Sequence, residues 1–216
     1  MSVAKKITTD YYRETFKKYG DTPEGVDWND LFTQNLRFKQ IVDELKSVKS
    51  FTVLDVGCGT GALFGFMRDE LKGYNFQYTG IDYVAEMTDE ASKKYSNFKN
   101  AKFQNTDLDS ITEKYDFVVS SGIFNVKLSV DSEKWFENMK CTLKAMFEHC
   151  TKGIIFNVLT KYVDFTDDKL YYSDPLLVFE YFQENCSRFI KLNHSYPLYE
   201  YTISGYREDF IRSIGK

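Results

Sequence analysis

The chain has 216 residues, of which 43% are hydrophobic and 17% aromatic, so it is long enough for one folded domain with a sizeable core. Its 28 basic and 32 acidic residues give a net charge of -4 without a long basic run, which argues against a nucleic-acid partner. Four cysteines without a C-x-x-C pair favour reduced thiols in the cytoplasm, and two histidines make a metal site unexpected. The first residues lack the apolar core of a signal peptide and no apolar stretch reaches membrane-spanning length, so no membrane partner is expected.

The N-terminal part of the chain is predicted to form two helices. A short helix over 8–19 ends where glycine and proline follow. Apolar residues then recur at helical spacing and predict a second helix over 29–48. We expect residues 1–48 to form a helical cap on a core that spans 49–216, the two parts making a single domain.

From residue 50 onward, short apolar runs alternate with amphipathic helical patterns. The runs typical of strands are 51–56, 77–82, 101–105, 115–120, 153–158, 188–193 and 200–206, and the helical patterns are 62–71, 85–95, 132–149 and 175–187. This alternation indicates βαβ units and a mostly parallel sheet that is buried on both faces. The last two runs are joined by HSYPLY, which is too short for a crossover helix. The predicted fold is therefore α/β and doubly wound, with a seven-stranded, mostly parallel sheet and a C-terminal antiparallel hairpin.

The densest cluster of glycines lies in VLDVGCGTGAL, residues 53–63, between the first predicted strand and the helix that follows it. Glycine has no Cβ atom, so a glycine turn can bring bare backbone close to a ligand, and the free N–H groups at the helix start face that ligand. In doubly wound sheets this first turn is the place where nucleotides bind. The sequence therefore predicts a nucleotide-type cofactor at Gly57, Cys58, Gly59 and Gly61.

The spacing of these glycines narrows the choice of cofactor. Dinucleotide-binding turns prefer G-x-G-x-x-G, whereas this turn reads G-x-G-x-G and follows Asp55. In this respect the chain resembles the class I S-adenosylmethionine-dependent methyltransferases, and the resemblance covers about residues 50–160. It implies a Rossmann-like methyltransferase fold, S-adenosylmethionine as the cofactor and S-adenosylhomocysteine as the product. Asp55 would suit the ammonium group of such a cofactor.

Further positions match that family in chain order. The resemblance implies that Asp82 accepts hydrogen bonds from both ribose hydroxyls, although it could instead cap the helix that follows. Asp107 would hold the adenine amino group, with Leu108 packed on the ring. Arg37 would pair with the methionine carboxylate or a substrate phosphate, or else lie on a solvated helix face. The expected cofactor-binding residues are Arg37, Asp55, Gly57, Cys58, Gly59, Gly61, Asp82, Tyr83, Met87, Asp107, Leu108, Ser121 and Gly122.

A finer resemblance concerns the segments KYGDTPEGVDW, QNLRF, SSGIFN and HSYPLYEYT. They are similar to segments of small bacterial methyltransferases associated with surface-polysaccharide (capsule) gene sets. That resemblance implies O-methylation of a small polar substrate, such as a sugar or a phosphate-type group. The segment after the fourth strand lacks an N/D-P-P-[YF] motif, which makes methylation of an exocyclic base amine or a glutamine amide less favoured.

The acceptor side of the predicted site depends on the nucleophile. A hydroxyl acceptor needs a group that takes its proton, whereas an oxygen that is already charged does not. His194 follows the sixth strand on the cofactor side of the sheet and is the first choice for a general base, with a turn-stabilising role as the alternative. Asn125 and Tyr196 are further catalytic candidates, although Asn125 could simply form a turn and the loop over 161–175 could be an ordinary surface loop. The expected substrate-binding residues are Trp28, Asn125, Tyr171, Tyr172, Tyr199 and Glu200.

Other functions stay open at this point. One is N-methylation of a small metabolite. A second is hydride transfer by an NAD-dependent oxidoreductase on the same architecture, which the glycine spacing disfavours. A third is cofactor binding without turnover.

Overall fold

The computed structural model describes residues 3–22, 25 and 30–214, which form a seven-stranded sheet with helices on both faces. The helices are α1 (Val3–Tyr19), α2 (Leu31–Leu45), α3 (Ala62–Glu70), α4 (Ala85–Lys94), α5 (Ser132–His149), α6 (Pro175–Asn185) and α7 (Glu208–Ile214). The strands are β1 (Ser50–Val56), β2 (Asn75–Asp82), β3 (Ala101–Asn105), β4 (Tyr115–Ser121), β5 (Cys150–Leu159), β6 (Phe189–Asn193) and β7 (Glu200–Tyr206).

The strand order is β3-β2-β1-β4-β5-β7-β6. Strands β1 to β5 run parallel, whereas β7 pairs antiparallel with both β5 and β6. This confirms the predicted α/β fold with a mostly parallel, seven-stranded sheet and antiparallel C-terminal strands. The order reverses at β1, which lies between β2 and β4, and ligands in open α/β sheets bind at the carboxyl ends of the strands at such a point.

Several elements have the predicted bounds, namely β3, β7 and α5, while the N-terminal helices differ. Helix α1 begins at Val3 instead of residue 8. Helix α2 spans Leu31–Leu45 instead of 29–48, and its start is defined by the Asp30 carboxylate, which accepts a hydrogen bond from the Thr33 N–H at 2.8 Å. Helix α7 was not predicted, since its 7 residues are too few to show an apolar period.

The hydrophobic core has one layer on each face of the sheet. Helices α5 and α6 cover one face, and α2, α3 and α7 cover the other. Ile41, Val42 and Leu45 of α2 are fully buried, so this helix belongs to the core layer. Helix α1 lies instead beside α4, where Arg13 pairs with Glu86 at 3.3 Å. Of the two helices expected to cap the core, α1 is therefore the one that lies outside it.

The described residues also bear on partners and metals. The four cysteines are all free thiols, and Cys58 and Cys150 are buried. Within the ranges given above, no three side chains of His, Cys, Asp or Glu are grouped so that they could hold a metal ion. None of the described helices combines the length and the apolar character needed to cross a membrane.

Candidate active site

A cavity of about 440 Å³ lies at the carboxyl ends of β1, β2 and β4, where the strand order reverses. The turn 57–60 contributes one side of it, α1 covers it, and α2 and α5 contribute further sides. The expected cofactor residues that line it are Asp55, Gly57, Cys58, Gly59, Asp82, Tyr83, Met87, Asp107, Leu108, Ser121 and Gly122. Side chains that line it without having been expected include Lys5, Thr9, Tyr12, Gln34, Phe38, Trp135 and Asn138.

The glycine turn depends on backbone shapes and close contacts that other residues cannot provide. Gly57 and Gly61 have φ values of 79° and 77°, in the left-handed region. A Cβ atom on Gly57 would lie 2.2 Å from Cγ2 of Ile123, and one on Gly61 would lie 2.7 Å from the ring of Phe103. Gly57 therefore shapes the cavity directly, whereas Gly61 does not line it but lets α3 start against β3.

Asp82 joins the glycine turn to the end of β2. Its Oδ2 accepts a hydrogen bond from the Gly59 N–H at 2.9 Å, and its Oδ1 accepts one from the Val84 N–H at 2.9 Å. Burial raises the pKa of Asp82, although the backbone N–H groups oppose that rise. Each carboxylate oxygen has a second lone pair, so Asp82 retains acceptor capacity for a ligand while it braces the turn. Asp82 therefore acts only partly as the predicted helix cap, because the N–H group that it binds belongs to Val84, just before α4.

Asp55 is a buried acid at the same side of the cavity. It is 2% exposed, and its Oδ2 accepts a hydrogen bond from the Tyr78 hydroxyl at 2.5 Å. Burial, opposed by that hydrogen bond and reinforced by the charge of Asp82, raises the pKa of Asp55 from 3.8 to about 7. A cationic group in the cavity would favour the ionised form, so Asp55 is suited to a ligand that carries an ammonium group.

Helix α1 closes the cavity beside Tyr83 and Asp107. The Lys5 ammonium pairs with the Asp107 carboxylate and lies 3.8 Å from the centroid of the Tyr83 ring. The Tyr83 hydroxyl donates to Asp107 Oδ1 at 3.3 Å, and burial raises the pKa of Tyr83 to about 12. Burial lowers the pKa of Lys5, although Asp109 opposes this. Lys5 has no signal in the sequence, because it lies before the helix predicted over 8–19 and periodicity does not show which edge a helix covers.

Arg37 does not line the cavity, which corrects the expected contact with the cofactor. Its Nε lies 2.8 Å from both Oε1 and Oε2 of Glu200, and the two side chains are 10% and 0% exposed. A guanidinium buried this deeply needs a carboxylate beside it, and Glu200 meets that need. Burial raises the pKa of Glu200, although Arg37 opposes that rise. Glu200 is therefore not a wall of the substrate pocket either.

Asn125 is likewise used by the protein itself. Its Nδ2 donates to Glu200 Oε1 at 3.2 Å, and its Oδ1 accepts from the Leu159 N–H at 3.1 Å. Its backbone carbonyl accepts from the Tyr171 N–H at 2.8 Å. The side chain is 5% exposed and does not line the cavity. Asn125 therefore ties the loop after β4 to the loop after β5, and its expected catalytic and substrate roles are not supported by this position.

The remaining acceptor-side candidates lie at the same edge of the sheet but outside the cavity. His194 is exposed, with its ring centroid 6.3 Å from that of Tyr162 and 6.1 Å from that of Tyr201. Tyr196 is buried, and its hydroxyl lies 3.0 Å from Oγ1 of Thr202. Exposed Tyr199 donates its hydroxyl to Asp164.

Tyr171 and Tyr172 border a second, more open hollow together with Lys127. The Tyr172 hydroxyl accepts a hydrogen bond from the Asp167 N–H at 2.9 Å. Trp28 lies outside the described residues, so nothing is said of its expected contact with substrate.

A doubly wound sheet with an acid-flanked glycine turn at its reversal point defines a nucleotide-type cofactor fold, and comparisons with known proteins identify its class. A family model for the methyltransferase domain matches residues 53–146. This chain is 36% identical over 155 residues to Rv1506c of Mycobacterium tuberculosis, a protein named as a methyltransferase. The match covers 71% of this chain and 91% of that protein. The chain therefore belongs to the S-adenosylmethionine-dependent methyltransferases.

Solved structures share the fold at low sequence identity. The magnesium protoporphyrin IX methyltransferase of Synechocystis PCC 6803, solved with S-adenosylmethionine bound, has a TM-score of 0.69 and 16% identity, and the match covers 96% of this chain and 99% of that one. The N-methyltransferase NodS of Bradyrhizobium japonicum WM9, in complex with S-adenosylhomocysteine, has a TM-score of 0.62 and 13% identity, covering 93% and 97%. These neighbours agree with S-adenosylmethionine as the cofactor, and family membership argues against the oxidoreductase alternative.

Proposed function

We propose that this methyltransferase transfers the methyl group of S-adenosylmethionine to an oxygen atom of a small polar molecule, with a sugar hydroxyl as the favoured acceptor. The observation that carries the proposal is the cavity beneath α1, bordered by the glycine turn and by acidic side chains. Its volume of about 440 Å³ is in the range of sites for small molecules. A covered space of this size suits a small acceptor better than a nucleic acid.

The cavity also has the groups that the cofactor needs. No Cβ atom intrudes at Gly57 or Gly59, Asp55 would take the ammonium group, and the free lone pairs of Asp82 would accept from the ribose hydroxyls. Asp107 is engaged by Lys5 and Tyr83, so a contact with the adenine amino group would share or replace those bonds. S-adenosylmethionine supplies an electrophilic methyl group and leaves as S-adenosylhomocysteine, so the protein has to align the acceptor, exclude water and let the proton of a hydroxyl acceptor leave to a base or to solvent.

The charges around the cavity favour a neutral or cationic acceptor over an anionic one. Among the described residues that line it, the acidic side chains are Asp55, Asp82, Asp107 and Asp109, and the basic one is Lys5. Although Asp55, Asp82 and Asp107 would serve the cofactor, Lys5 is the one cation among these lining residues that could pair with an acceptor phosphate or carboxylate, and it already pairs with Asp107. Of the oxygen acceptors implied by the sequence resemblance, a hydroxyl is therefore favoured over a phosphate-type group.

An exposed group of rings on neighbouring loops supports a sugar. We call Tyr162, Phe165, His194 and Tyr199 the aromatic rim; Phe165 is 71% exposed and Tyr162 56%. These residues follow β5 and β6, whose carboxyl ends lie at the same edge as the cavity. Tyrosine and histidine combine an apolar body with a polar tip, which suits a molecule that has both apolar ring faces and hydroxyl groups. Surface-polysaccharide synthesis is the process that the sequence resemblance favours for such a product.

N-methylation of a small amine is the second candidate. The acid-rich lining that disfavours anions would attract an ammonium-bearing acceptor. NodS, one of the structures with this fold, is an N-methyltransferase. An amine acceptor would have to lose a proton before it attacks the methyl group.

A labelling experiment separates these functions. The protein is incubated with S-adenosylmethionine carrying a ¹³C methyl group and with small-molecule extracts or panels of neutral sugars, sugar phosphates and amines. Carbon NMR then distinguishes an O-methyl from an N-methyl resonance. We expect an O-methyl signal on a neutral acceptor. An N-methyl signal would favour the second candidate, and a methylated phosphate would contradict the charge argument.

The matched control is Asp82→Ala. It removes a charged acceptor of hydrogen bonds worth about 1.5–3 kcal/mol each, so it should weaken S-adenosylhomocysteine binding at least about tenfold. With S-adenosylmethionine kept below the Kd of the parent protein, a methyl signal that persists unchanged in this variant does not come from the cavity. Tight binding by the parent protein without any transfer would instead indicate a cofactor-binding module without turnover.

A further inference from the structure

The carboxylate of the methionine portion of the cofactor has no obvious cation to bind it in this cavity. Lys5 is the basic side chain among the described residues that line the space, and it pairs with Asp107 beside the ring of Tyr83. Arg37, the residue expected to bind this carboxylate, is held by Glu200 outside the cavity. A neutral hydrogen-bond donor is therefore the remaining kind of partner.

Gln34 is such a donor, one turn before Arg37 on α2. It lines the cavity and is only 5% exposed. Its backbone N–H bonds to the Asp30 carbonyl at 3.2 Å, whereas its side-chain amide makes no hydrogen bond to any residue in the described ranges. The amide is not among the fully buried side-chain groups that lack a partner, so it is accessible from the cavity that it lines and can donate its N–H groups to a bound molecule.

The position of α2 identifies the end of the cavity to which Gln34 belongs. Helix α2 packs against α3, β4, β5 and β7. Asp107, by contrast, follows β3, which lies at the far side of β1 and β2 from β4. Asp107, the residue expected to contact adenine, and Gln34 thus lie on opposite sides of the point where the strand order reverses. Phe38, the next cavity-lining residue of α2, packs against Phe66 of α3 with 5.9 Å between the ring centroids.

We infer that Gln34 binds the methionine carboxylate of the cofactor through its side-chain N–H groups. This inference rests on the assignment of the chain as an S-adenosylmethionine-dependent enzyme. The N–H groups of residues 57–59 already bond to Ile81 and Asp82, so any additional donors would come from the first turn of α3, whose N–H groups have no intrahelical partners. The carboxylate would then be held by neutral donors, which avoids a second cation near the sulfonium.

The experiment compares two ligands that differ only in the amino-acid portion. S-adenosylhomocysteine carries the carboxylate and the ammonium group, whereas 5′-methylthioadenosine has the same adenosine and thioether without them. Isothermal titration calorimetry is used to measure both affinities for the parent protein, Gln34→Ala and Gln34→Glu. We expect Gln34→Ala to weaken S-adenosylhomocysteine about tenfold and to change 5′-methylthioadenosine by less than about twofold. Gln34→Glu should weaken S-adenosylhomocysteine further, because like charges would then face each other.

The matched control is Gln40→Ala on the same helix. Gln40 bonds to Asn193 at 2.9 Å outside the cavity, so neither affinity should change. Retained binding of 5′-methylthioadenosine shows that each variant is folded. Equal loss of both ligands, unchanged S-adenosylhomocysteine affinity in Gln34→Ala, or tighter binding by Gln34→Glu, as expected for a contact with the ammonium group, would each overturn the inference. A parent protein that binds neither ligand would instead overturn the cofactor assignment itself.

Discussion

The two sides of the ligand-binding edge are built from contacts of very different range. On the cofactor side, Asp82 contacts Gly59 and Tyr78 contacts Asp55, each pair separated by 23 positions in the sequence. On the acceptor side, Glu200 contacts Asn125 and Arg37, which lie 75 and 163 positions away. The glycine turn and its acids are therefore assembled from a single βαβ unit, to which Lys5 is added by its contact with Asp107 across 102 positions, whereas the acceptor side needs both ends of the chain.

This difference explains why residues of similar chemistry have different roles. The acidic residues near the glycine turn line the cavity and keep acceptor capacity for a ligand. The charged and amide side chains on the acceptor side satisfy one another within the protein and hold its loops together. Polar residues at the carboxyl edge thus divide into those that face the cavity and those that brace it, and the following variants test that division.

Removal of the buried carboxylate on the acceptor side should have the largest effect on stability. Glu200→Ala takes away the group that neutralises Arg37, and breaking a buried pair in this way costs about 3–5 kcal/mol. Urea denaturation measures that loss. In calorimetry below the unfolding transition, the affinity for S-adenosylhomocysteine should stay within about twofold.

Glu208→Ala serves as the control because it removes an exposed partner of Arg188 and Arg212. We expect little change in stability from it. If Glu200→Ala lost cofactor affinity in proportion to stability, Glu200 would belong to the cavity side and the division would be wrong.

On the cofactor side, Gly57→Ala should weaken S-adenosylhomocysteine binding about a hundredfold, or ~2.7 kcal/mol. The added Cβ would collide with Ile123 and would also have to adopt a φ of 79°. The double variant Gly57→Ala/Ile123→Ala removes the collision and should recover part of the affinity. Gly73→Ala is the control, because Gly73 has a φ of 86° with open space around its Cβ position. Comparable losses of affinity in both alanine variants would show that strain alone, and not the shape of the turn, is responsible.

The pH dependence of Asp55 gives a smaller effect. Its pKa is raised to about 7 in the folded protein, so its contribution to stability is fully present below about pH 4 and is lost as the pH rises through 7. Asp55→Asn stays neutral at every pH. The variant should therefore gain free energy of unfolding relative to the parent protein between pH 5 and pH 8, by up to about 2–3 kcal/mol. Chemical denaturation at the two pH values measures the change.

The same variant should lose the pH dependence of ligand affinity. The parent protein should bind S-adenosylhomocysteine more tightly at pH 8 than at pH 5.5, because ionised Asp55 attracts the ammonium group. Asp116→Asn is the control outside the cavity: burial would raise the pKa of Asp116, but hydrogen bonds from Lys152 and the Thr52 N–H lower it overall. A parent protein with pH-independent affinity would remove Asp55 from the ammonium site.

The smallest effect is expected at the aromatic rim. His194→Ala should raise KM for the acceptor severalfold and leave the affinity for S-adenosylhomocysteine unchanged, because His194 is exposed and does not line the cavity. Steady-state kinetics with the acceptor found by labelling measures this. A large fall in kcat at unchanged KM would restore His194 as the general base.

Much of the fold and about half of the site followed from residue patterns. Strand and helix periods predicted the alternation and the antiparallel C-terminal strands, and the glycine turn with Asp82 and Asp107 identified cavity-lining positions. Lys5 and Gln34 carried no such signal, since a single lysine or glutamine on a helix looks the same whether it faces a cavity or solvent. Arg37 and His194 were assigned by their order along the chain, which locates the edge of the sheet but not the direction of a side chain.

Short-range chemistry therefore accounts for the cofactor class of this protein, because a turn with glycines at its three positive-φ positions is a property of a few consecutive residues. The assignment of polar groups to the cavity or to the scaffold needed the packed chain. Whether a buried charge is neutralised depends on which distant side chain reaches it, as Glu200 reaches Arg37 across 163 positions. Burial then sets the protonation of Asp55 and leaves the Gln34 amide facing the cavity, and neither effect can be derived from neighbours in sequence.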